Sequence, residues 1–413
     1  MKNIIENRDH RKLGKELDLY SFSEEVGAGL VSFHPNGSVI RYELERFSQK
    51  AHLQNGYEWV YSPHIGKAGL WKTSGHLDFF KENMYAPIKI DEEEYYLKPM
   101  NCPFHLMIFK NRQRSYQELP VRYAEFGTVY RYEFSGALHG LKRVRGFVQD
   151  DAHIICSKDQ IYGEILRALK FSLYVLRAFG LNKFKAYIAT KPAEKAIGSD
   201  SDWEMAVEHL KKAVNEVGLE YEIDEGGGAF YGPKIDIKII DFAGNEWQCS
   251  TVQFDFNLPG KFKMEYRGSD GKFHVPYLVH RALFGSIERF IAVLLEFYSG
   301  SLPFWLSPMQ VMVIDINSNR SDHCKKLVRK LKEEDMRVEL SDNNDSLSSR
   351  IRNAELRKIP LILVVGDKEV EKNEVSVRCR FNPKLKGSYS YDKILEIIRV
   401  EQNKGKPQII FED

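Results

Sequence analysis

The sequence predicts an α+β protein in two parts, a larger domain over residues 1–305 and a small α/β domain over residues 306–413. Three observations lead there. Phe126–His153 holds two segments of strand character, Thr128–Glu133 and Arg143–Asp150, around a turn rich in small residues (Ser135-Gly136-Ala137, then Gly140). That is an antiparallel hairpin with a long loop. Punctuation then clusters at Ser301-Leu302-Pro303 and Ser307-Pro308. Beyond Met309 strands alternate with helices, the pattern of a largely parallel sheet.

In chain order, Asp9 is placed to cap a charged helical stretch, and Gly27-Ala28-Gly29 and Pro35-Asn36-Gly37 read as turns. Leu44–Leu53 reads helical and Tyr57–Ile65 as an apolar strand closed by Pro63. A helix opens at Met100-Asn101-Cys102-Pro103, with proline in its first turn. After the hairpin come amphipathic helices at Gln160–Phe179 and Trp203–Val217, then a glycine-rich break, Gly226-Gly227-Gly228. Ile235, Ile237 and Ile239 alternate with Asp236 and Lys238 as in a half-buried strand, Trp247–Phe256 is another, and Ser286–Phe297 is a helix. The C-terminal part reads strand Val311–Ile316, helix Asp322–Glu334, strand Arg337–Leu340, helix Ser346–Arg357, strands Leu361–Val365 and Val375–Cys379, and helix Tyr391–Gln402.

Composition narrows the class. The chain has 413 residues, enough for two or three buried cores, with 43% hydrophobic and 29% charged residues, as in soluble globular proteins. No apolar run reaches the length of a bilayer span, and the N-terminus lacks the core of a signal peptide. Five cysteines, odd in number and without CxxC spacing, argue against a disulfide framework and for the cytoplasm. A net charge of +2 does not discriminate, because a nucleic-acid patch is local.

Arg131 and Glu133 sit two apart, as do Arg143 and Arg145, so on strands each pair shares a face. With Phe147 nearby, such a face suits an anionic, planar ligand such as a nucleotide triphosphate. Taken alone, the Arg131–Glu133 pair reads as a structural cross-strand salt bridge more often than as a site. The wider pattern is more specific. Arg131-x-Glu133, a loop, then Arg143 and Phe147 resembles motif 2 of the class II aminoacyl-tRNA synthetases. Gly285-Ser286-Ile287-Glu288-Arg289-Phe290 resembles their motif 3, and Gly56–Pro63 their motif 1. Met100-Asn101-Cys102-Pro103, Leu138–Phe147, Gln149–His153 and Ala229-Phe230-Tyr231-Gly232-Pro233-Lys234 together are similar to the threonyl-tRNA synthetases, over nearly the whole chain.

The resemblance implies a catalytic domain on a mostly antiparallel sheet, an anticodon-binding α/β domain, and ligation of threonine to tRNA(Thr) through an adenylate. It implies that Arg131 holds the α-phosphate of ATP and Arg289 the γ-phosphate. Glu133 and Phe147 would hold adenine, with Arg143 among the ATP contacts and Mg²⁺ on the phosphates. Lys234, Gln248, Thr251 and Gln253 fall around the adenylate; Thr251 and Gln253 share strand parity, while Gln248 does not. Asp151, Gln149, Tyr231 and Gln253 would hold threonine. His76 matches a histidine near the transfer step and reads equally as a surface side chain. Cys102, His153 and His280 have no local metal spacing; by resemblance they are zinc ligands, one Zn²⁺ per subunit, with an open position as in a catalytic site. Cys156 and His139 read as structural. Asn344, Arg352, Glu369 and Arg378 would read the anticodon, and Gly56–Pro63 would form a homodimer interface.

Departures accompany the likeness. Phe104 stands where glycine is usual, Phe134 where proline is common, and Lys358 where arginine is frequent. Residues 342–346 are less basic than the usual segment. Family members commonly carry an N-terminal region with an editing domain; this chain begins where the catalytic part does, so no editing of Ser-tRNA(Thr) in cis is expected. Two alternatives remain at this stage: a catalytically silent relative that senses amino acid or RNA, and an adenylate-forming enzyme with another acceptor.

Overall fold

The computed structural model describes residues 8–194, 196–240, 244, 246–316, 321–341 and 345–411. Contacts divide it into two compact units: Phe22–Val31, Ser48–Val293 and Gln408–Asp413 in one, and Met1–Ser21, Ser32–Phe47 and Leu294–Pro407 in the other.

The first unit is organised on an eight-stranded sheet. In chain order its strands are β1 (Glu58–Trp59), β2 (Val121–Tyr130), β3 (Gly146–Cys156), β4 (Phe184–Ala189), β5 (Tyr221–Asp224), β6 (Lys234–Ile240), β7 (Glu246–Asp255) and β8 (Tyr277–Ala282). They lie in the order β5-β4-β6-β7-β8-β3-β2-β1, with only the two outermost pairs, β5–β4 and β2–β1, parallel. The longer helices of the first 300 residues are α1 (Pro35–Gln54), α2 (Cys102–Lys110), α3 (Ile161–Ala178), α4 (Asp200–Glu216) and α5 (Ile287–Tyr298). Helix α3 buries Ile161, Ile165, Leu169 and Leu176, an i, i+4 stripe turned toward β8 and β7. Helix α4 begins at a capping box: Ser199 Oγ accepts from Asp202 N at 3.2 Å, and Asp202 accepts from Ser199 N at 3.2 Å.

Several local expectations change. The hairpin strands end earlier on the loop side than Thr128–Glu133 and Arg143–Asp150, so Arg131, Glu133, Arg143 and Arg145 lie beyond the ladder. One further rung, Arg131 N to Arg145 O at 2.9 Å, closes it before the 3-10 turns Ser135–Ala137 and Gly140–Lys142 take over. Pro35-Asn36-Gly37 is no turn but the first turn of α1, where proline's missing N–H costs nothing. A methyl group on Gly37 would stand 1.9 Å from the Leu19 carbonyl oxygen, so only glycine allows that approach. Tyr57–Ile65 contributes just the two residues of β1, and Ile65–Lys67 joins a separate small sheet. Strand β6 is buried at Ile235, Asp236, Ile237 and Ile239, on both faces, rather than half-buried.

The C-terminal part of the other unit runs β9 (Val311–Asp315), α6 (Ser321–Glu333), β10 (Val338–Ser341), α7 (Leu347–Leu356), β11 (Leu361–Val365), α8 (Asp367–Lys372), β12 (Glu374–Cys379), β13 (Lys386–Ser390) and α9 (Tyr391–Asn403). Strand order is β10-β9-β11-β12-β13; the first three are parallel, the last two antiparallel. The sequence pattern missed β13 because Lys-Gly-Ser-Tyr-Ser is an exposed edge with no apolar alternation. The change of pattern near residue 305 does not coincide with the division by contacts. Residues near the N-terminus pack with this unit: Glu43 Oε1 accepts from Arg337 Nη1 at 2.7 Å, and the Phe47 and Trp305 rings lie 5.7 Å apart.

Candidate active site

A cleft of about 460 Å³ opens over the middle of the large sheet. Strand alternation fills one wall. Phe147, Gln149, Asp151 and His153 occupy alternate positions of β3, and all four line the cleft. Strand β8 adds His280, and β6 adds Lys234. Strand β7 contributes Gln248, Thr251 and Gln253, which corrects the parity expectation. Ile237 pairs with Ser250 but Lys238 pairs with Gln248, so Cys249 is an extra residue, and this bulge turns Gln248 to the face of Thr251. The glycine-rich segment supplies Gly227, Gly228 and Ala229 to the rim, with Tyr231 beside them.

The loop beyond β2 and the start of α5 bring the cations. Arg131 donates from Nε to the Pro99 carbonyl at 3.2 Å, and its guanidinium lies 5.2 Å from the Phe147 ring centre. Burial pushes its pKa down, as it does that of Arg289. Arg289 Nε donates to the Lys142 carbonyl at 3.1 Å. Asp150 accepts from Leu283 N at 3.0 Å and Phe284 N at 2.9 Å, pinning the turn that leads into α5. In that turn Gly285 has φ +74°, and a Cβ would meet the Cys249 carbonyl at 2.8 Å. Glu133 and Arg143 form an ion pair at 2.8 Å.

Deeper in the cleft the Cys102 thiol and the His153 and His280 rings place one donor atom each within 4.8 Å of one another. His153 Nε2 and His280 Nδ1 are 2.9 Å apart. The far nitrogens are held: His280 Nε2 lies 2.8 Å from Asp255 Oδ2, and His153 Nδ1 lies 2.8 Å from His105 Nδ1. One soft donor and two oriented imidazoles, with no fourth ligand in the cluster among the described residues, fit zinc with an open coordination position. Burial raises the Cys102 pKa and lowers that of His153, so a cation is what would favour the thiolate. Asp151, beside them, accepts from Asn101 Nδ2 at 3.0 Å, and burial raises its pKa.

The cleft therefore gathers every residue expected at the nucleotide, amino-acid and metal sites except His76. His76 is fully buried, not a surface side chain. Its Nδ1 faces Ser74 Oγ at 2.7 Å, its Nε2 faces Met100 Sδ at 3.1 Å, and burial, followed by nearby Arg131, pushes its pKa down to about 3. Sequence reasoning missed Asp236, which accepts from Lys234 Nζ at 2.6 Å, Gln248 Nε2 at 2.7 Å and Thr251 Oγ1 at 2.7 Å. Its place two residues after Lys234 on one strand was the available signal. His105, three residues after Cys102 on α2, was missed for the same reason in helical period.

In the C-terminal domain Arg352 is exposed on α7. Arg378, on β12, comes within 3.9 Å of Glu355 on the same helix. Glu369 accepts from Gly366 N at 3.1 Å at the start of α8. Asn344 lies outside the described residues.

A family model described as the tRNA synthetase class II core domain (G, H, P, S and T) matches residues 85–298, and one described as an anticodon binding domain matches 310–401. With the mostly antiparallel sheet and its cleft, these define the class, the class II aminoacyl-tRNA synthetases. The chain is 57% identical over 379 residues to a threonine–tRNA ligase of Sulfurihydrogenibium sp., covering 91% of this chain and 59% of that protein. To that of Aquifex aeolicus it is 54% identical over 402 residues, 97% of this chain and 62% of the relative. It thus spans about three fifths of the length of these curated relatives. The solved RNA binding domain of threonyl-tRNA synthetase from Cryptosporidium parvum superposes with a TM-score of 0.92 at 37% identity, over 98% of this chain and 100% of that one. The chain belongs to the threonyl-tRNA synthetase family.

Proposed function

We propose that the chain activates L-threonine with ATP to threonyl-adenylate and pyrophosphate, then transfers the threonyl group to the 3′ end of tRNA(Thr). One observation supports this most: Arg131, Arg289 and the Cys102–His153–His280 cluster line a single cleft. In activation a threonine carboxylate oxygen attacks the α-phosphorus, and the bond to the bridging oxygen breaks as pyrophosphate leaves with the electron pair. Such a site works by positioning reactants and neutralising charge.

Arg131 meets the α-phosphate and Arg289 the γ-phosphate, both half-buried in the cleft wall. Glu133 accepts from the adenine amino group once it releases Arg143, which then reaches the phosphates, and Phe147 stacks on the ring. Lys234, Gln248 and Thr251, tied together by Asp236, hold the adenylate. Mg²⁺ enters with ATP as the metal–nucleotide. Gln149, Tyr231 and Gln253 border the amino acid, and Asp151 accepts its side-chain hydroxyl. Cys102, His153 and His280 would hold zinc, which when bound supplies a Lewis-acid position for the amino nitrogen and hydroxyl of threonine, a contact that valine cannot make. His76, buried behind Met100, acts on the transfer step only through its neighbours.

In the domain over residues 306–413, Asn344, Arg352, Glu369 and Arg378 read unstacked anticodon bases. A homodimer through Gly56–Pro63, where Tyr61 is 79% exposed, and a cytoplasmic setting complete the reading. Threonine-dependent exchange of pyrophosphate into ATP, followed by charging of tRNA(Thr), tests it, and both are expected. Absence of exchange would overturn it, and exchange without charging would point to another acceptor. Cys102→Ala is expected to lose bound zinc and exchange together; full exchange without zinc would remove the metal from the mechanism.

A further inference from the structure

Arg281 pairs across the sheet with Ala152, which alternates with the cleft residues Asp151 and His153, so its side chain leaves β8 on the face away from the cleft. It is 1% exposed, and none of its three guanidinium nitrogens has a hydrogen-bond partner among the described residues. A buried cation in that state is costly unless other charge or π density compensates it. Two rings supply part of the compensation. The guanidinium carbon lies 4.8 Å from the centre of the Tyr57 ring and 5.4 Å from that of Phe171 on α3, and the two rings stack on each other at 5.5 Å.

The rest comes from Asp150. Ala152 on β3 stands opposite Arg281, and Asp150, two residues before it, is the diagonal neighbour of Arg281 on the same face. Asp150 is also 1% exposed. Burial raises its pKa to about 7, and Arg281 is the foremost group drawing it back. Its oxygens take the Leu283 and Phe284 amides at 3.0 and 2.9 Å. A charged carboxylate offers both oxygens as acceptors, whereas a neutral one turns one of them into a donor. Two residues further on, Ser286 Oγ accepts from Arg289 N at 3.0 Å, so the held turn runs directly into the helix start that carries Arg289.

We propose that Arg281 is a positioning residue for a cleft it does not face: as the counter-charge of Asp150 it holds the Leu283–Phe284 turn, and through that turn Arg289, in place for the triphosphate. This rests on the nucleotide role given to Arg289 above, which it deepens. Arg289 touches the nucleotide; Arg281 acts only through Asp150 and the turn.

The test uses the full chain, with pyrophosphate-exchange kinetics and hydrogen–deuterium exchange of backbone amides. Arg281→Met keeps the bulk and removes the charge. It is expected to raise KM for ATP about tenfold while KM for threonine stays within about twofold. The Leu283 and Phe284 amides are expected to take up deuterium about tenfold faster. Arg281→Lys restores a cation over the rings and is expected to stay within about threefold of wild type. On an Asp150→Asn background, Arg281→Met is expected to change KM for ATP by less than about twofold, because the charge it serves is gone. Equal rises in both KM values, a lysine variant no better than methionine, additive effects in the double variant, or unchanged deuterium uptake at the two amides would each overturn the role. If wild type catalyses no pyrophosphate exchange, the nucleotide reading fails, and deuterium uptake alone decides the link from Arg281 to the turn. Should Arg281→Met not fold, Asp150→Asn is read in its place. Faster uptake at the two amides with a rise confined to ATP is expected there, and wild-type values of both would refute the proposal.

Discussion

Asp236 shows how a single side chain can carry a site without touching what the site binds. Its carboxylate takes hydrogen bonds from Lys234, Gln248 and Thr251, three groups that line the cleft. Asp236→Ala is expected to lower the rate of pyrophosphate exchange by about a hundredfold through lost positioning, with the folded spectrum retained. Steady-state exchange kinetics check this. His76 makes a different kind of statement, about pH. Its folded pKa of about 3 lies below the ordinary 6.5, so the unfolded chain binds the proton that the folded chain refuses. The stabilisation is complete above the ordinary value and is lost as pH falls toward the folded one. His76→Asn is expected to flatten the acid limb of unfolding free energy by up to about 1.4 kcal/mol per pH unit between about pH 6 and pH 4. Urea midpoints across that range measure it. The burial of neither was legible in the sequence: an aspartate alternating with isoleucines reads as solvent-facing, and a lone histidine as exposed, until the fold closes over them.

Elements were legible where a period runs uninterrupted and illegible where one residue breaks it. Helices α3 and α4, with their long apolar stripes, fall within a few residues of the segments the pattern marks out. Strand β7 was legible as a strand, but the bulge at Cys249 is invisible in its alternation, and so the face of Gln248 could not be read. The start of α1 was misread because Pro-Asn-Gly carries turn chemistry locally, while the reason for Gly37 is a carbonyl eighteen residues earlier in the chain, at Leu19. Gly37→Ala is expected to destabilise the fold by about 1–3 kcal/mol, since a methyl cannot fit against that oxygen without shifting backbone. Chemical denaturation, with the slope checked against wild type, measures the change.

At the scale of the molecule, the change of pattern near residue 305 reflects sequence families, the class II core model ending at 298 and the anticodon model starting at 310. Packing follows other lines, because long-range pairs leave no local trace. Arg337 is the clearest case: it donates to Glu43 Oε1 at 2.7 Å and to the carbonyls of Trp305 at 2.7 Å and Ser307 at 3.0 Å. Glu43 keeps a second partner in Arg46, so Arg337→Ala is expected to cost about 2–3 kcal/mol rather than the full loss of a buried pair. Calorimetry should show the transition of that unit moving to lower temperature. The candidate site was legible at this scale for the opposite reason: its motifs are short stretches of chain whose residue types can be read without knowing the elements that carry them.

The Glu43–Arg337 pair also sets a clock. Its members are 294 residues apart in the chain. At a synthesis rate of about 5–20 residues per second, Glu43 emerges about 15–60 s before its partner exists. Throughout that interval Glu43 and the neighbouring apolar side chains Leu44 and Phe47 of α1 lack the partners that follow later in the chain. The large sheet, by contrast, lies wholly within Ser48–Val293 and can close first. The nascent chain can therefore hold a complete large sheet while the Glu43 carboxylate still waits for its partner.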